Sequence, residues 1–243
     1  MLKFSTRWDS PLSSRKERAS DFQFDENVSA QFEDMLQRSV PFYSEITRMS
    51  VELAREYNPS GKVIYDLGCS TGETGLQIAQ AFLPDEFEYI GIDNSASMIE
   101  KAVRKTQGKS NLTFKQGDIT EFDFNNAGTF ISNFTLQFLR PLQRQPLLEK
   151  ICKALPEEGA FILGEKVLED HSDISRLFVD LYYDFKKREG YSELEIARKR
   201  ESLENVLIPY RLDENIEMLR NAGFSKVNIA FKWYNFVLFL AVK

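Results

Sequence analysis

Apolar and polar positions alternate in blocks that predict strand and helix in turn along most of the chain. KVIYDL (62–67) is a short, mostly apolar run of the kind a buried parallel strand carries. GETGLQIAQAF then reads as a helix and EYIGID (88–93) as the second strand. ASMIEKAVRKTQ is amphipathic, with Met98, Ile99, Ala102 and Val103 on one side of a helix. NLTFKQG predicts the third strand and GTFISNFTLQF contains the fourth. QRQPLLEKICKAL predicts a helix, with Pro146 either in its first turn or kinking it. AFILGEKV is the fifth strand. This βαβαβ rhythm predicts an α/β protein, a mostly parallel sheet with helices on both faces.

The flanks extend that plan. Residues 26–57 carry helical patterning that Pro41 breaks, because proline lacks a backbone donor and pushes Val40 out of helical space. Asn58-Pro-Ser-Gly61 reads as a turn. Residues 169–208 are strongly helical, an insertion after the fifth strand that suits a lid or substrate element. DENIEMLRNAGF predicts a further helix, closed by Gly223 as a C-cap. The remaining residues form two strands around Tyr234-Asn235, which can pair as a hairpin. The expected organisation is a flexible polar lead over 1–20 and one domain over 21–243.

Composition narrows the setting. With 243 residues, 42% hydrophobic and 28% charged, the chain suits one soluble domain with a real core. Two cysteines, Cys69 and Cys152, make no disulfide framework, so a reducing cytoplasm is the expectation. No run approaches the roughly 20 apolar residues that span a membrane. The formal net charge is -6, whereas a free nucleic-acid binder is usually basic. The cluster Arg15, Lys16 and Arg18 therefore reads as a solvated tail, and neither a membrane nor direct nucleic-acid binding is expected.

The candidate chemistry sits at strand ends. Asp66-Leu-Gly-Cys-Ser-Thr-Gly72 places Gly68 and Gly72 around a tight strand-to-helix turn, where backbone can approach a ligand and amides are free. Ser70 replaces the middle glycine of a dinucleotide fingerprint, and taken alone the loop reads equally as a simple turn. Asp93, 25 residues after Gly68, ends the second strand, where an acidic residue accepts hydrogen bonds from ribose hydroxyls. The alternative is that Asp93 caps the next helix, although Ser95 can take that place. Gly117-Asp118-Ile119 follows the third strand. In folds that bind S-adenosylmethionine (SAM), an acidic residue there meets the adenine amino group and the next amide meets a ring nitrogen. Asn133 ends the fourth strand, facing the ligand crevice of an open sheet. Four such positions on consecutive strand ends point to a SAM-binding enzyme.

The sequence also resembles the carboxy-S-adenosyl-L-methionine synthases of bacterial wobble-uridine tRNA modification. The resemblance runs from about Phe22 to Lys243. It rests on FDENV (24–28), QRSVPFY (37–43), YDLGCS (65–70), GIDNS (91–95), GDI (117–119) and NFTLQFL (133–139). Further matches are DFK (184–186), GYSELE (190–195), KR (199–200) and LENV (203–206). It implies a Rossmann-like class I SAM-dependent methyltransferase fold with seven strands, and a homodimer. It also implies a reaction: prephenate loses its ring carboxylate as CO2 and becomes phenylpyruvate, and the deprotonated SAM methyl captures the CO2. The product, carboxy-SAM, serves a tRNA carboxymethyltransferase. Carried over by motif, the ligand positions are Tyr43, Gly68, Cys69, Ser70, Asp93, Asn94, Asp118, Ile119, Asn133 and Arg200, with Tyr43 and Arg200 nearest the chemistry. An arginine suits the added carboxylate, because its planar fork binds carboxylate bidentately; without the motif, Arg200 reads as part of a solvated basic face. No metal is implied.

Two stretches depart from the family pattern. Tyr182-Tyr183 stands where members carry a His-His pair, and Gly164-Glu-Lys-Val167 where they carry Ser-Glu-Lys-Phe. His171, the single histidine, lies in a polar turn and reads as a surface residue. Cys69 has no matched base and is not expected to act as a nucleophile. The competing functions are a SAM-dependent methyltransferase acting on a small molecule or RNA, and a SAM-binding protein without catalysis.

Overall fold

The computed structural model describes residues 32–59 and 61–243. The polar lead, its basic cluster and the helical pattern before residue 32 lie outside the described residues, as does Ser60 of the expected turn. Two helices, α1 (Phe32–Ser39) and α2 (Tyr43–Tyr57), meet at Pro41 as its chemistry requires. Then follow β1 (Lys62–Leu67), α3 (Glu73–Ala81), β2 (Phe87–Asp93), α4 (Ala96–Lys105), β3 (Leu112–Gln116) and β4 (Ala127–Asn133). After a short 3-10 turn come α5 (Pro141–Ala154) and β5 (Ala160–Lys166). The insertion is α6 (Ser172–Arg188) and α7 (Glu193–Leu203), and α8 (Leu212–Asn221), β6 (Lys226–Trp233) and β7 (Phe236–Val242) close the chain.

The seven strands make one sheet in the order β3-β2-β1-β4-β5-β7-β6. β1 to β5 pair in parallel, while β7 runs antiparallel between β5 and β6 as the return arm of the expected hairpin. The chain builds outward from β1 to β3 and then restarts on the other side of β1 with β4. That reversal opens a crevice at the carboxyl ends of β1 and β4, the place where open α/β sheets bind ligands.

Alternation along β1 shows how the sheet is held. Ile64 turns to a layer containing Ile46, Val51 and Ala54 of α2 and Ile78 of α3. Val63, Tyr65 and Leu67 turn the opposite way, onto Leu147, Leu148 and Ile151 of α5 and Met218 and Leu219 of α8. Each such large apolar side chain contributes about 1.5–3 kcal/mol on burial, so the strand ends are fixed by the core and not by their loops.

Two details differ from the expected pattern. On α4, Met98 and Ala102 are buried in line, but Val103 is 51% exposed; it sits one residue, about 100°, around the helix from Ala102 and clears the sheet. Pro146 lies past the first turn of α5, whose N1 position belongs to Pro141. Its missing N–H leaves the carbonyl of the exposed Leu142 without a helical donor. Among the described residues no helix is long and apolar enough to cross a membrane.

Candidate active site

β1 passes into α3 through Gly68 (φ 82°), Ser70 (φ 50°) and Gly72 (φ 80°). The amides of Gly68 and Cys69 both donate to the carbonyl of Ile92, at 2.8 and 3.0 Å, which ties the loop to the end of β2. A Cβ on Gly68 would lie 2.1 Å from Oγ1 of Thr135, just beyond β4. Both the left-handed backbone and this close approach demand glycine.

Asp93 joins two loops. One carboxylate oxygen accepts from the amide of Ser70 at 3.0 Å and the other from the amide of Ser95 at 2.9 Å. Burial pushes its carboxyl up against the lowering effect of those two amides. Ser95 is the cap of α4, its hydroxyl accepting from the amide of Met98. Asp93 is thus relieved of the capping position yet is not idle, and each oxygen keeps acceptor capacity beyond its one amide. Asn94 is exposed, its carbonyl accepting from Gln116 at 3.3 Å.

The next two strand ends complete the rim. Oδ1 of Asp118 accepts from the amide and hydroxyl of Thr120, at 2.8 and 2.7 Å. Its other oxygen has no hydrogen bond among the described residues, and Ile119 packs into the core beneath it. Oδ1 of Asn133 accepts from Ser50 at 3.3 Å, while its buried Nδ2 has no partner among the described residues. Phe134 follows at φ 61° and packs on Phe236 at 6.0 Å, holding a strained turn in place.

Tyr43, the first residue of α2, is half-buried beside the first loop. Burial raises its phenol, and the negative charges of Asp66 and Glu73 add to the shift. α1 crosses the same loop. Glu33 accepts from the hydroxyl of Thr71 at 2.8 Å and from Lys105 at 2.7 Å. Burial pushes the Cys69 thiol well up, and Asp66 and Asp93 reinforce it, so this cysteine is held as an inert thiol. Among the described residues no three His, Cys, Asp or Glu side chains converge to hold a metal.

Residues 58–198 match the family described as methyltransferase domain. A putative S-adenosyl-L-methionine-dependent methyltransferase of Methanococcus maripaludis shares the fold, with a TM-score of 0.61 at 17% identity, covering 94% of this chain and 97% of that one. Two relatives named carboxy-S-adenosyl-L-methionine synthase are much nearer in sequence. The one from Sulfurimonas denitrificans is 48% identical over 223 residues, 91% of this chain and 94% of its own length. The one from Methylococcus capsulatus is 48% identical over 231 residues, 92% and 94% of the two chains. The chain belongs to the carboxy-S-adenosyl-L-methionine synthase family.

As a carboxy-S-adenosyl-L-methionine synthase family member, and so a SAM-dependent transferase, the chain gathers most of its expected site in one crevice. Gly68, Cys69, Ser70, Asp93, Asn94, Asp118, Ile119 and Asn133 all stand at the carboxyl ends of β1 to β4 or in the turns that follow. Tyr43 joins them from α2. Arg200 does not: it is exposed in the last turn of α7 and makes no hydrogen bond or ion pair among the described residues. His171 is exposed at the start of α6.

The two stretches expected to depart from the family pattern make local contacts in this fold. A Cβ on Gly164 would lie 2.8 Å from Oδ1 of Asn133, so glycine here leaves room for that amide. Tyr182 is buried and donates to the carbonyl of Ser39 at 2.8 Å, fastening α6 to the end of α1. Motif reading passed over Thr135 and Glu33, which touch the first glycine loop through contacts far apart in sequence. It also gave no role to Lys166 and Lys186, although Lys186 lies in the DFK string.

Proposed function

We propose that the chain converts SAM and prephenate to carboxy-SAM and phenylpyruvate. The observation that carries this is the convergence of four strand-end groups at the β1/β4 reversal, in a chain of this family. The crevice fits an adenosyl ligand. Gly68 lets the loop close against Thr135, Asp93 keeps acceptor capacity for ribose hydroxyls, and Asp118 keeps one oxygen without a hydrogen bond among the described residues, available to an adenine amino group. The buried, unpartnered Nδ2 of Asn133 is a donor without an acceptor, a cost that a polar ligand removes. In this reading Ile119 offers its amide to the adenine ring, Asn94 flanks the ribose, and Cys69 and Ser70 give backbone to the amino-acid end. Tyr43 walls the reacting group.

SAM supplies a methyl group whose C–H bonds the adjacent sulfonium acidifies. Loss of CO2 from prephenate aromatises its ring and expels the ring hydroxyl as hydroxide. That hydroxide takes one methyl proton and leaves as water, and the methyl carbon bonds to CO2. The balance calls for no protein base, which accords with a raised Cys69 thiol and an exposed His171. The chain's residues bind, orient and exclude water. Arg200 receives the added carboxylate, and its exposure on α7 suits a site shared between the subunits of a homodimer. The setting is the cytoplasm, and the product passes to a tRNA carboxymethyltransferase with no direct nucleic-acid contact by this chain.

The test is mass spectrometry of the products formed from SAM and prephenate. A species heavier than SAM by one CO2, formed together with phenylpyruvate, is the expected result. Only S-adenosylhomocysteine, formed with an added methyl acceptor, would instead establish a methyltransferase.

A further inference from the structure

Lys166 ends β5, and Lys186 lies in α6, at the carboxyl edge of the sheet beside the crevice. Each ammonium is 4.9 Å from the centre of the Tyr182 ring. Lys186 is 6% exposed, and neither ammonium forms a hydrogen bond or ion pair among the described residues. Lys199 completes the cluster. It donates to the hydroxyl of Tyr191 at 2.7 Å and to Ser39 at 3.3 Å, and lies 4.4 Å from the Tyr191 ring centre. Arg38 stacks on the same ring at 4.5 Å. Four cations therefore surround two tyrosines, with no carboxylate bonded to any of the three lysines among the described residues.

A tyrosine face stabilises an ammonium by less than burial costs an unpaired ion. The imbalance shows in both groups. Burial brings Lys166 down to about 8, and burial with the charges of Lys199 and Lys166 brings Lys186 down to about 7. An anion arriving between them would remove the cost. The position is suited to a substrate. α1 touches the first glycine loop through Glu33 and the cluster through Ser39. Six residues of helix, about 9 Å of rise, separate the two.

We propose that Lys166 and Lys186 together receive the carboxylate that the second substrate keeps, which in prephenate is the pyruvyl carboxylate. This rests on the reading of prephenate as the carboxyl donor. The carboxylate that departs as CO2 gives up its charge in the transition state, so pairing it with two ammonium groups would stabilise the ground state and slow the step. The carboxylate that remains carries its charge throughout and anchors the substrate at no such cost. The two lysines are binding and positioning groups, with SAM held elsewhere.

Phenylpyruvate carries only the retained carboxylate and is the probe. Its dissociation constant and that of SAM are measured by calorimetry for wild type, Lys166→Met, Lys186→Met and Lys186→Arg. Each methionine variant should weaken phenylpyruvate by roughly tenfold or more and leave SAM within about twofold, with Lys186→Arg recovering part of the loss. Phenylpyruvate affinity unchanged in both methionine variants, parallel loss of SAM and phenylpyruvate, or no phenylpyruvate binding by wild type would each overturn the proposal. Thermal unfolding checks each variant, and Lys166→Gln at the strand end replaces any methionine variant that does not fold. A wild type that binds phenylpyruvate through the lysines yet makes no carboxy-SAM would remove the proposed reaction and leave the anion site standing.

Discussion

The hydroxyl of Tyr89 donates to Oδ2 of Asp66 at 2.6 Å, and both side chains are buried. Asp66 begins the glycine-loop motif but points into the fold. Burial pushes its carboxyl up to about 7 from an ordinary 3.8, outweighing the hydrogen bond from Tyr89. Glu165 is pushed to about 8 in the same way, with Arg144 opposing. A raised acid binds its proton more tightly folded than unfolded. Its contribution to stability is whole below the unfolded value, declines as pH rises toward the folded value, and is flat above it. Asp66→Asn should therefore match wild type near pH 4 and gain on it progressively toward pH 8. Urea midpoints of the two proteins across that range decide it; parallel profiles would refute the buried titration.

Asp93→Ala should weaken every adenosyl ligand alike. Losing hydrogen bonds to a charged acceptor costs about 1.5–3 kcal/mol, roughly 10- to 150-fold in affinity. The fold adds a second effect, because the amides of Ser70 and Ser95 lose their shared acceptor. The variant should also unfold at lower urea without ligand. Calorimetry showing unchanged SAM affinity would end the ribose assignment.

Gly164→Ser places at this position the residue that the family resemblance leads one to expect. The obstructing atom is the far end of the Asn133 side chain, so the amide can turn at modest cost. Stability should change by about 1 kcal/mol or less, while the Ser50 contact to Asn133 is lost. SAM affinity should respond more than the melting temperature. A large drop in melting temperature with unaltered affinity would show that the backbone, not Asn133, senses the substitution.

Arg200→Ala should separate two ligands. SAM has no anion at its methyl group and carboxy-SAM does, so the variant should lose the second by more than about tenfold and hardly affect the first. Arg200→Lys should recover only part, because an ammonium lacks the bidentate fork. Equal weakening of both ligands would make Arg200 a general cofactor residue, and no weakening would return it to the solvated face. Mixing Arg200→Ala with Asp93→Ala tests a shared site. Activity regained in the mixture indicates that Arg200 crosses between subunits.

The amino-acid sequence by itself determined the strands, the helix that Pro41 interrupts, the closing hairpin and the four strand-end positions. Those features depend on local periods and on residues that punctuate them: the run 62–67 predicted β1 with its observed bounds, and Gly68, Asp93, Asp118 and Asn133 stand where the pattern placed them. Arg200 shows the limit, since its motif carries no information about which surface α7 presents. Only the tertiary structure decided that both oxygens of Asp93 are engaged, that Thr135 fills the space above Gly68, and that Val103 faces solvent. It alone brought Lys166 and Lys186 to one tyrosine, from a strand and a helix with no shared motif. The reason is physical: hydrophobic period is written over neighbouring residues, whereas desolvation and hydrogen-bond partnership arise from groups that are distant in the chain and meet only when the core closes.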